Sequence, residues 1–141
     1  MIRIRELNPN GVRLNRDQRY NLHLLHTTLN EIRAEWDRPM VITSSLRSME
    51  HHLRIYEEKN ARRTAEGMDP LPIPLSSAHL CAAAADVRDE TGMLFHFIVG
   101  RMELWESLDL DVYLESSNYT PGWVHLQVIP PRSGQRIFIP Y

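Results

Sequence analysis

The hydrophobic positions in the first third of the chain repeat at the spacing of an α-helix. The apolar stripe recurs every three or four residues at Leu22, Leu25, Leu29, Ile32 and Trp36. Asn15 precedes the stripe and Gln18 follows three residues later, which is a capping-box pattern. Pro39 cannot continue a helix. The pattern therefore predicts a long first helix over residues 16–37.

Two later stretches show helical spacing as well. Ser48 is a residue type that caps helices, and it precedes a stretch that predicts a second helix over residues 49–62. We expect its inward side chains to be Met49, Leu53 and Tyr56. A third helix is predicted over residues 91–107, with its core positions at Leu94, Phe97, Ile98, Met102 and Trp105.

The strands are predicted from β-branched runs and from alternation of apolar and polar residues. Residues 40–44 are rich in β-branched side chains, and residues 83–87 are mostly small and apolar, as in a buried strand. Residues 110–115 and 123–129 alternate across a seven-residue connection, which predicts a β-hairpin. Residues 136–139 can add a last strand. The predicted fold class is α+β, with a small antiparallel sheet packed against about three helices.

Length and charge narrow the range of partners. The 141 residues contain no internal repeat and suit one domain over 1–141 with one core. The net charge of −2 does not suggest a nucleic-acid partner, and no stretch is long and apolar enough to span a membrane. Residues 2–5 are a candidate short strand, and their charges break any apolar signal region, so we expect cytoplasmic synthesis without a signal peptide. We expect a monomer.

One segment carries the strongest candidate chemistry. His79 and Asp86 lie seven positions apart, separated by small apolar residues that suit a loop running into a buried strand. Imidazole and carboxylate both bind divalent metals, and His125 in the predicted hairpin is the best third ligand. Two histidines and one carboxylate leave a fourth position open, as in catalytic zinc sites. The alternative is that His79 and Asp86 form a hydrogen-bonded pair under a loop.

The hairpin adds a hypothesis about neighbouring side chains. If Glu115 pairs across from Trp123, then Tyr113 lies opposite His125. One face of the hairpin would then carry Tyr113, Glu115, Trp123, His125 and Gln127. In that arrangement the Glu115 carboxylate lies near the metal site. A slip of one residue would move it to the other face.

These motifs together resemble a known family. Ser77, His79, Ala84 and Asp86 form the pattern Ser-x-His-x4-Ala-x-Asp, and residues 123–125 read Trp-Val-His. This combination resembles the zinc D-Ala-D-Ala carboxypeptidase superfamily. That group includes the vancomycin-resistance dipeptidases and phage L-Ala-D-Glu endolysins and shares its fold with hedgehog domains. Residues 43–48 resemble the family's Ser-x-Tyr-Arg-Ser segment, so the pieces follow the family's order over residues 43–127.

The resemblance implies a hedgehog/DD-peptidase-like fold and a specific chemistry. It implies Zn²⁺ held by His79, Asp86 and His125, with Arg47 near the carboxylate or scissile carbonyl of the substrate. It also implies hydrolysis of a peptide bond in peptidoglycan stem peptides. A phage endolysin would act at the cell wall or periplasm once the membrane is opened.

The chain departs from the family pattern at two positions. Ala82 replaces a usual glycine between the first His and the Asp, which we expect only to tighten packing. Gly122 stands where many members have the glutamate that acts as general base. Glu115 is the nearest replacement, whereas Gln127 could hold a water molecule but cannot accept its proton.

The remaining site residues have supporting roles in this hypothesis. We expect Ser77 to support the His79 loop by hydrogen bonding, and Trp123 and Tyr113 to pack around the site. Arg47 could instead be a surface residue, and Glu115 could simply be solvated. A second function is also open, in which the chain is an inactive zinc-binding relative that serves as a binding or structural virion module. The glycine at position 122 favours that alternative.

Overall fold

A computed structural model describes residues 1–140 as a mixed α+β fold, which confirms the predicted class. The helices are α1 (Ile4–Leu7), α2 (Arg16–Trp36), α3 (Met49–Ala65), α4 (Met93–Val99) and α5 (Met102–Ser107), with a 3-10 turn at Ser117–Tyr119. The strands are β1 (Ile42–Ser44), β2 (Ala84–Arg88), β3 (Tyr113–Glu115), β4 (Trp123–Gln127) and β5 (Ile137–Phe138). No helix within residues 1–140 is both long enough and apolar enough to cross a bilayer.

The first long helix forms as its sequence predicts. The side chain of Asn15 accepts a hydrogen bond from the Gln18 amide at 2.8 Å, and the side chain of Gln18 accepts one from the Asn15 amide at 2.9 Å. Asp37 ends α2 in a left-handed conformation, with φ of 54°. The predicted stripe faces the core, where its first four members are buried and Trp36 is half-buried.

The five strands form one sheet in the order β1-β2-β4-β3-β5. The pairs β1–β2, β2–β4 and β3–β4 are antiparallel, as predicted. The last pair differs from the prediction, because β5 runs parallel to β3. The connection over residues 128–136 carries the chain past β3, so β5 reaches the outer edge in the same direction as β3.

Alternation along the two central strands separates a hydrophobic face from a polar face. Val87, Val124 and Leu126 belong to the core, which they share with apolar residues of α2, α4 and α5. Because neighbouring strand residues point to opposite faces, Asp86 and His125 lie on the other side of the sheet. The candidate metal ligands are therefore held by strands whose reverse face is the hydrophobic core.

The register of the hairpin corrects the predicted pairing of Glu115 with Trp123. Tyr113 pairs with Gln127, rather than with His125. The shift is two residues, and because the side-chain period of a strand is also two, the same side chains share a face. Continuing the observed register places Glu115 opposite His125. The predicted neighbourhood of the carboxylate survives for this reason.

The N-terminal segment is a helix, so the predicted strand over residues 2–5 is wrong. The amide of Ile2 donates to the Asn30 side-chain oxygen at 2.8 Å, and the carbonyl of Ile2 accepts from the Asn30 side-chain nitrogen at 3.0 Å. Side-chain bonds from α2 thus satisfy this main chain in place of a neighbouring strand.

The predicted third helix is two helices. The chain breaks between α4 and α5 at Gly100, a residue with low helix propensity. The Trp105 indole N–H donates to the carbonyl of Ile98 at 2.9 Å, which satisfies a carbonyl at the end of α4. Asp89 accepts from the amides of Leu94 and Phe95 and so fixes the start of α4.

The inward face of α3 also differs from the prediction. Met49 is 46% exposed, whereas His52 is completely buried. The Nε2 atom of His52 lies 2.8 Å from the carbonyl oxygen of Pro74. This contact connects α3 to the segment between α3 and His79, which contains three prolines. The ring centroids of His52 and Tyr56 are 4.9 Å apart. The inward face of α3 is therefore formed around a buried histidine rather than around the predicted apolar side chains.

The N-terminal cap of α2 yields a stability prediction. Asn15→Ala removes the side-chain acceptor for the Gln18 amide, so we expect the free energy of unfolding to fall by about 1 kcal/mol. Urea denaturation followed by circular dichroism measures the change. Asn15→Asp keeps the acceptor and serves as the matched control. An unchanged midpoint for Asn15→Ala would show that the cap does not stabilise α2.

Candidate metal centre

The two central strands place two of the predicted ligands side by side. Asp86 in β2 pairs directly with His125 in β4. Their ion-pair distance, from Asp86 Oδ1 to His125 Nδ1, is 3.0 Å. Strand pairing alone therefore brings together two residues that are far apart in sequence.

The third predicted ligand reaches the sheet from the loop before β2. The carbonyl of Ala78 accepts from the Ala83 amide at 2.9 Å and closes this loop. Two side chains of α2 fix the loop by hydrogen bonds. The side chain of Gln18 donates to the Leu80 carbonyl at 2.9 Å, and that of Asn21 donates to the Cys81 carbonyl at 3.0 Å.

Ala82 has a positive φ of 59° within this loop. A residue with a Cβ in that conformation is strained by roughly 1–2 kcal/mol, a cost that glycine avoids. The position therefore constrains the backbone, and the expectation that alanine only tightens packing is incomplete.

The three predicted ligands converge at one point. The nearest ring nitrogen or carboxylate oxygen of His79, Asp86 and His125 all lie within 4.8 Å of one another. Asp86 Oδ1 is 3.4 Å from His79 Nε2, and the two imidazole centroids are 5.1 Å apart. The prediction that these three side chains lie together is confirmed, and they are close enough to share one metal ion.

Each histidine is oriented by a hydrogen bond on its outer nitrogen. His79 Nδ1 lies 2.8 Å from the carbonyl oxygen of Ser45, and His125 Nε2 lies 2.8 Å from Gln127 Oε1. Gln127 is itself oriented, since its Nε2 donates to the Ile129 carbonyl at 2.9 Å. A main-chain carbonyl oxygen and a side-chain amide oxygen can only accept hydrogen bonds. The outer nitrogen of each ring is therefore the protonated one that donates. This arrangement is typical of histidines that ligate a metal.

The inner nitrogens are then acceptors in the neutral rings. They face Asp86, whose ionised carboxylate is also only an acceptor. Three lone pairs at such distances repel one another unless a proton or a cation lies between them. Two imidazoles and a carboxylate form a donor set that suits zinc and other first-row divalent ions. The residues therefore fit a divalent metal, and the donor set leaves its identity open.

Without metal, the same contacts shift the pKa values. Burial alone would raise the pKa of Asp86, but the hydrogen bond from His125 and the nearby ring of His79 outweigh it and lower the value to about 2. Burial opposes protonation of His125, yet its hydrogen bond to Asp86 prevails and raises the pKa of the ring. For His79 burial prevails and lowers the pKa.

The three ligands open into a cavity of about 270 Å³, which we call the metal cavity. Its sheet side carries Asp86, Glu115 and His125, and its helical side carries Ile55, Tyr56 and Lys59 of α3. The predicted residues Arg47, Ser77, Trp123 and Gln127 also line it. Among residues 1–140, Tyr113 is not one of the residues that line the cavity. Its ring packs instead against the guanidinium of Arg136, whose Cζ atom is 4.7 Å from the ring centroid.

Glu115 is half-buried in the metal cavity. Burial raises the pKa of its carboxyl, and the negative charge of Asp86 raises it further. The charges of His125 and Lys59 act in the opposite direction but do not cancel the effect. The carboxylate is thus a stronger proton acceptor than an exposed glutamate would be.

Gly122, the position compared in sequence with the glutamate of the resembled superfamily, lies in a tight turn. Gly122 has φ of 84°, a conformation that favours glycine, and its carbonyl accepts from the Asp89 amide at 2.8 Å. Within residues 1–140 it does not line the metal cavity. A glutamate would be strained there, so the backbone explains the glycine.

Arg47 and Ser77 are linked to the His79 loop mainly through the main chain. The amide of Arg47 donates to the His79 carbonyl at 3.3 Å, and the carbonyl of Ser77 accepts from the Cys81 amide at 3.1 Å. The Nε atom of Arg47 is buried and has no hydrogen-bond partner within residues 1–140. An unpartnered buried donor facing a cavity is suited to a ligand.

Sequence reasoning missed the helical side of the cavity. Lys59 has no predicted role in the site, but it lines the metal cavity together with Ile55 and Tyr56. The signal was available, because His52, Ile55, Tyr56 and Lys59 follow the three- and four-residue spacing of one helix face.

Comparison of the chain with models of protein families, with curated proteins and with solved structures finds no match. The resemblance to the zinc D-Ala-D-Ala carboxypeptidase superfamily therefore depends on the chain's own motifs and on the geometry of the residues in them.

The convergence of three ligands predicts one divalent metal per chain. We expect His79→Ala or His125→Ala to weaken zinc binding by at least about a hundredfold, since losing even an outer-shell partner costs 10–100-fold. Isothermal titration calorimetry measures the affinity. His96→Ala, the same truncation at an exposed position, is the matched control and should bind as the unsubstituted protein does. Equal binding by all three variants would contradict the assignment.

The low pKa of Asp86 predicts how the metal-free protein responds to acid. A carboxyl whose pKa falls from 3.8 unfolded to about 2 folded stabilises the fold above pH 3.8. That contribution, roughly 2 kcal/mol, is lost as the pH falls through 2. Urea titrations from pH 5 to pH 2 in EDTA should show a steeper loss for the unsubstituted protein than for Asp86→Asn. Asp69→Asn, at an exposed position, should follow the unsubstituted protein, whereas matching slopes in all three would contradict the pKa shift.

Proposed function

We propose that this protein is a zinc-dependent hydrolase of peptide bonds in peptidoglycan stem peptides. The observation that carries the proposal is the convergence of His79, Asp86 and His125, whose inner atoms are acceptors while each outer ring nitrogen is occupied. Glu115 and Arg47 line the same cavity, which adds a proton acceptor and an anion-binding group.

The ligand set supports zinc. His79 would bind through Nε2 and His125 through Nδ1, since these atoms face the Asp86 carboxylate. When bound, zinc supplies a Lewis acid that polarises a carbonyl group and makes water more acidic. Three protein ligands leave a coordination position for exchange, which suits a catalytic zinc site.

Glu115 is the proposed general base. It lines the metal cavity together with the three ligands, and its raised pKa favours proton uptake. It would accept a proton from the attacking water and then deliver it to the amine that leaves when the C–N bond breaks. Such transfer contributes about 10²–10⁴-fold to the rate of hydrolysis. Gln127 is already engaged with His125 and Ile129 and has a positioning role.

Arg47 is the proposed group for oxyanion or carboxylate binding. Its main-chain bond to His79 holds it beside the ligands. Its guanidinium has donors in a fixed geometry that matches an anionic oxygen. Its buried Nε atom has no hydrogen-bond partner among residues 1–140. Negative charge that develops on the carbonyl oxygen during attack would be stabilised from this side.

The same proposal extends to fold family and setting. The sheet with a ligand pair on its central strands supports a hedgehog/DD-peptidase-like fold. A monomeric endolysin made in the cytoplasm and acting at the bacterial cell wall is the corresponding biological role.

A second candidate function is an inactive zinc-binding relative that serves as a binding or structural virion module. One observation favours it, namely the turn at Gly122 where the family's usual base is absent. In this alternative the metal stabilises the fold, and Glu115 is a half-buried residue without a proton to transfer.

Hydrolysis by the zinc-loaded protein separates the two candidates. We expect the unsubstituted protein to release fragments from purified peptidoglycan or from a D-Ala-D-Ala peptide, measured by liquid chromatography and mass spectrometry. Glu115→Gln, like Glu115→Ala, should lose about 10²–10⁴-fold in kcat because the proton acceptor is gone.

Two controls accompany this experiment. Glu103→Gln changes an exposed glutamate on α5 and should keep full activity. Zinc content must be equal in every variant, so that lost activity is not lost metal. If the zinc-loaded unsubstituted protein cuts neither substrate, the hydrolase proposal is wrong and the module remains.

A further inference from the structure

Lys59 is the only lysine in the chain, since every other Lys or Arg position is an arginine. It lies on α3 and lines the metal cavity, on the helical side that faces the ligand-bearing strands. Its ammonium group lies 5.2 Å from the centroid of the Tyr56 ring. The ammonium therefore lies over the face of the aromatic ring, and the lysine side chain is exposed to solvent.

The ammonium of Lys59 has no carboxylate within 4.0 Å among residues 1–140. Arg54, on the same helix, and Arg136, beside β3, each lie within that distance of a carboxylate. Lys59 is therefore a cation available to a ligand in the cavity.

Charges in the metal cavity are divided between its two sides. The sheet side presents Asp86 and Glu115, while Arg47 and Lys59 supply positive charge from the loop and helix side. A ligand carboxylate would be attracted to the loop and helix side. Arg47 is held near the ligands by its main-chain bond to His79, whereas Lys59 is exposed on α3. The two cations can thus contact different parts of an extended ligand.

We propose that Lys59 binds a carboxylate of the peptide substrate and thereby gives the site a preference for anionic peptides. This inference rests on the proposed function, because it concerns the ligand of the same cavity. An ammonium on a flexible stem is a point charge that accepts many carboxylate orientations, which suits a contact away from the scissile bond. Lys59 is a specificity-determining residue in this scheme, distinct from the groups at the metal.

Binding to the zinc-loaded Glu115→Gln protein tests the proposal without hydrolysis of the ligand. The probe is the pentapeptide L-Ala-γ-D-Glu-L-Lys-D-Ala-D-Ala. Three further versions carry an amide at the D-Glu α-carboxylate, at the C-terminus, or at both. Isothermal titration calorimetry compares their affinities for proteins with and without the additional change Lys59→Gln.

We expect Lys59→Gln to weaken binding of the fully anionic peptide by about threefold to tenfold. Amidation of the carboxylate that Lys59 contacts should abolish the difference between the two proteins. Lys59→Arg should restore the affinity, since it keeps the positive charge. Arg62→Gln, an exposed cation on the same helix, is the matched control and should bind as the parent protein does.

Three results would overturn the proposal: Lys59→Gln binds every peptide like its parent, it loses the same affinity for the doubly amidated peptide, or the parent binds none of the peptides. The proposed function is judged separately, by hydrolysis with the zinc-loaded unsubstituted protein. Peptide binding that depends on Lys59, without hydrolysis, would refute the hydrolase and leave the carboxylate contact standing. Because Lys59 is exposed, thermal denaturation should show that the variant folds normally.

Discussion

The structure of the site depends on one buried carboxylate between two imidazoles. Asp86 is only 7% exposed and lies next to His125 across a strand pair, with His79 approaching from the preceding loop. Burial of a charge without partners would be costly, so the carboxylate requires a proton or a cation among these three residues. This requirement links the fold to its chemistry, since the hydrogen bonds that hold the rings leave their inner nitrogens facing the same point.

The scaffold makes that arrangement rigid from the opposite face of the sheet. Val87, Val124 and Leu126 pack into the core, so the strands that carry Asp86 and His125 cannot shift register without exposing buried apolar side chains. The helix α2 adds a second constraint through Gln18 and Asn21, whose side chains bond the carbonyls of the His79 loop. The core and the hydrogen bonds from α2 therefore position the ligands, which is the condition for a preorganised site.

The sequence predicted those parts of the fold and of the site for which local patterns agree with the tertiary packing. The capping box at Asn15, the stripe of α2 and the spacing of His79 from Asp86 are local patterns, and each appears in the fold. The shared face of Glu115 and His125 was predicted from alternation, although the register was wrong by two residues. A strand's period of two residues preserves the face in such a shift, so the inference about proximity held while the pairing failed.

What failed depended on contacts between distant segments. No local pattern indicates that Asn30 bonds both main-chain groups of Ile2, or that Pro74 accepts from the ring of His52. His52 is buried, and Lys59 on the same helix lines the metal cavity. The direction of β5 likewise depends on a connection with no regular structure.

Zinc-edge anomalous diffraction from crystals of the zinc-loaded protein tests the central claim most directly. The account predicts a single strong peak about 2.0–2.2 Å from His79 Nε2, His125 Nδ1 and an oxygen of Asp86. A peak elsewhere, or one that omits either imidazole, would contradict the claim that these three side chains share one cation.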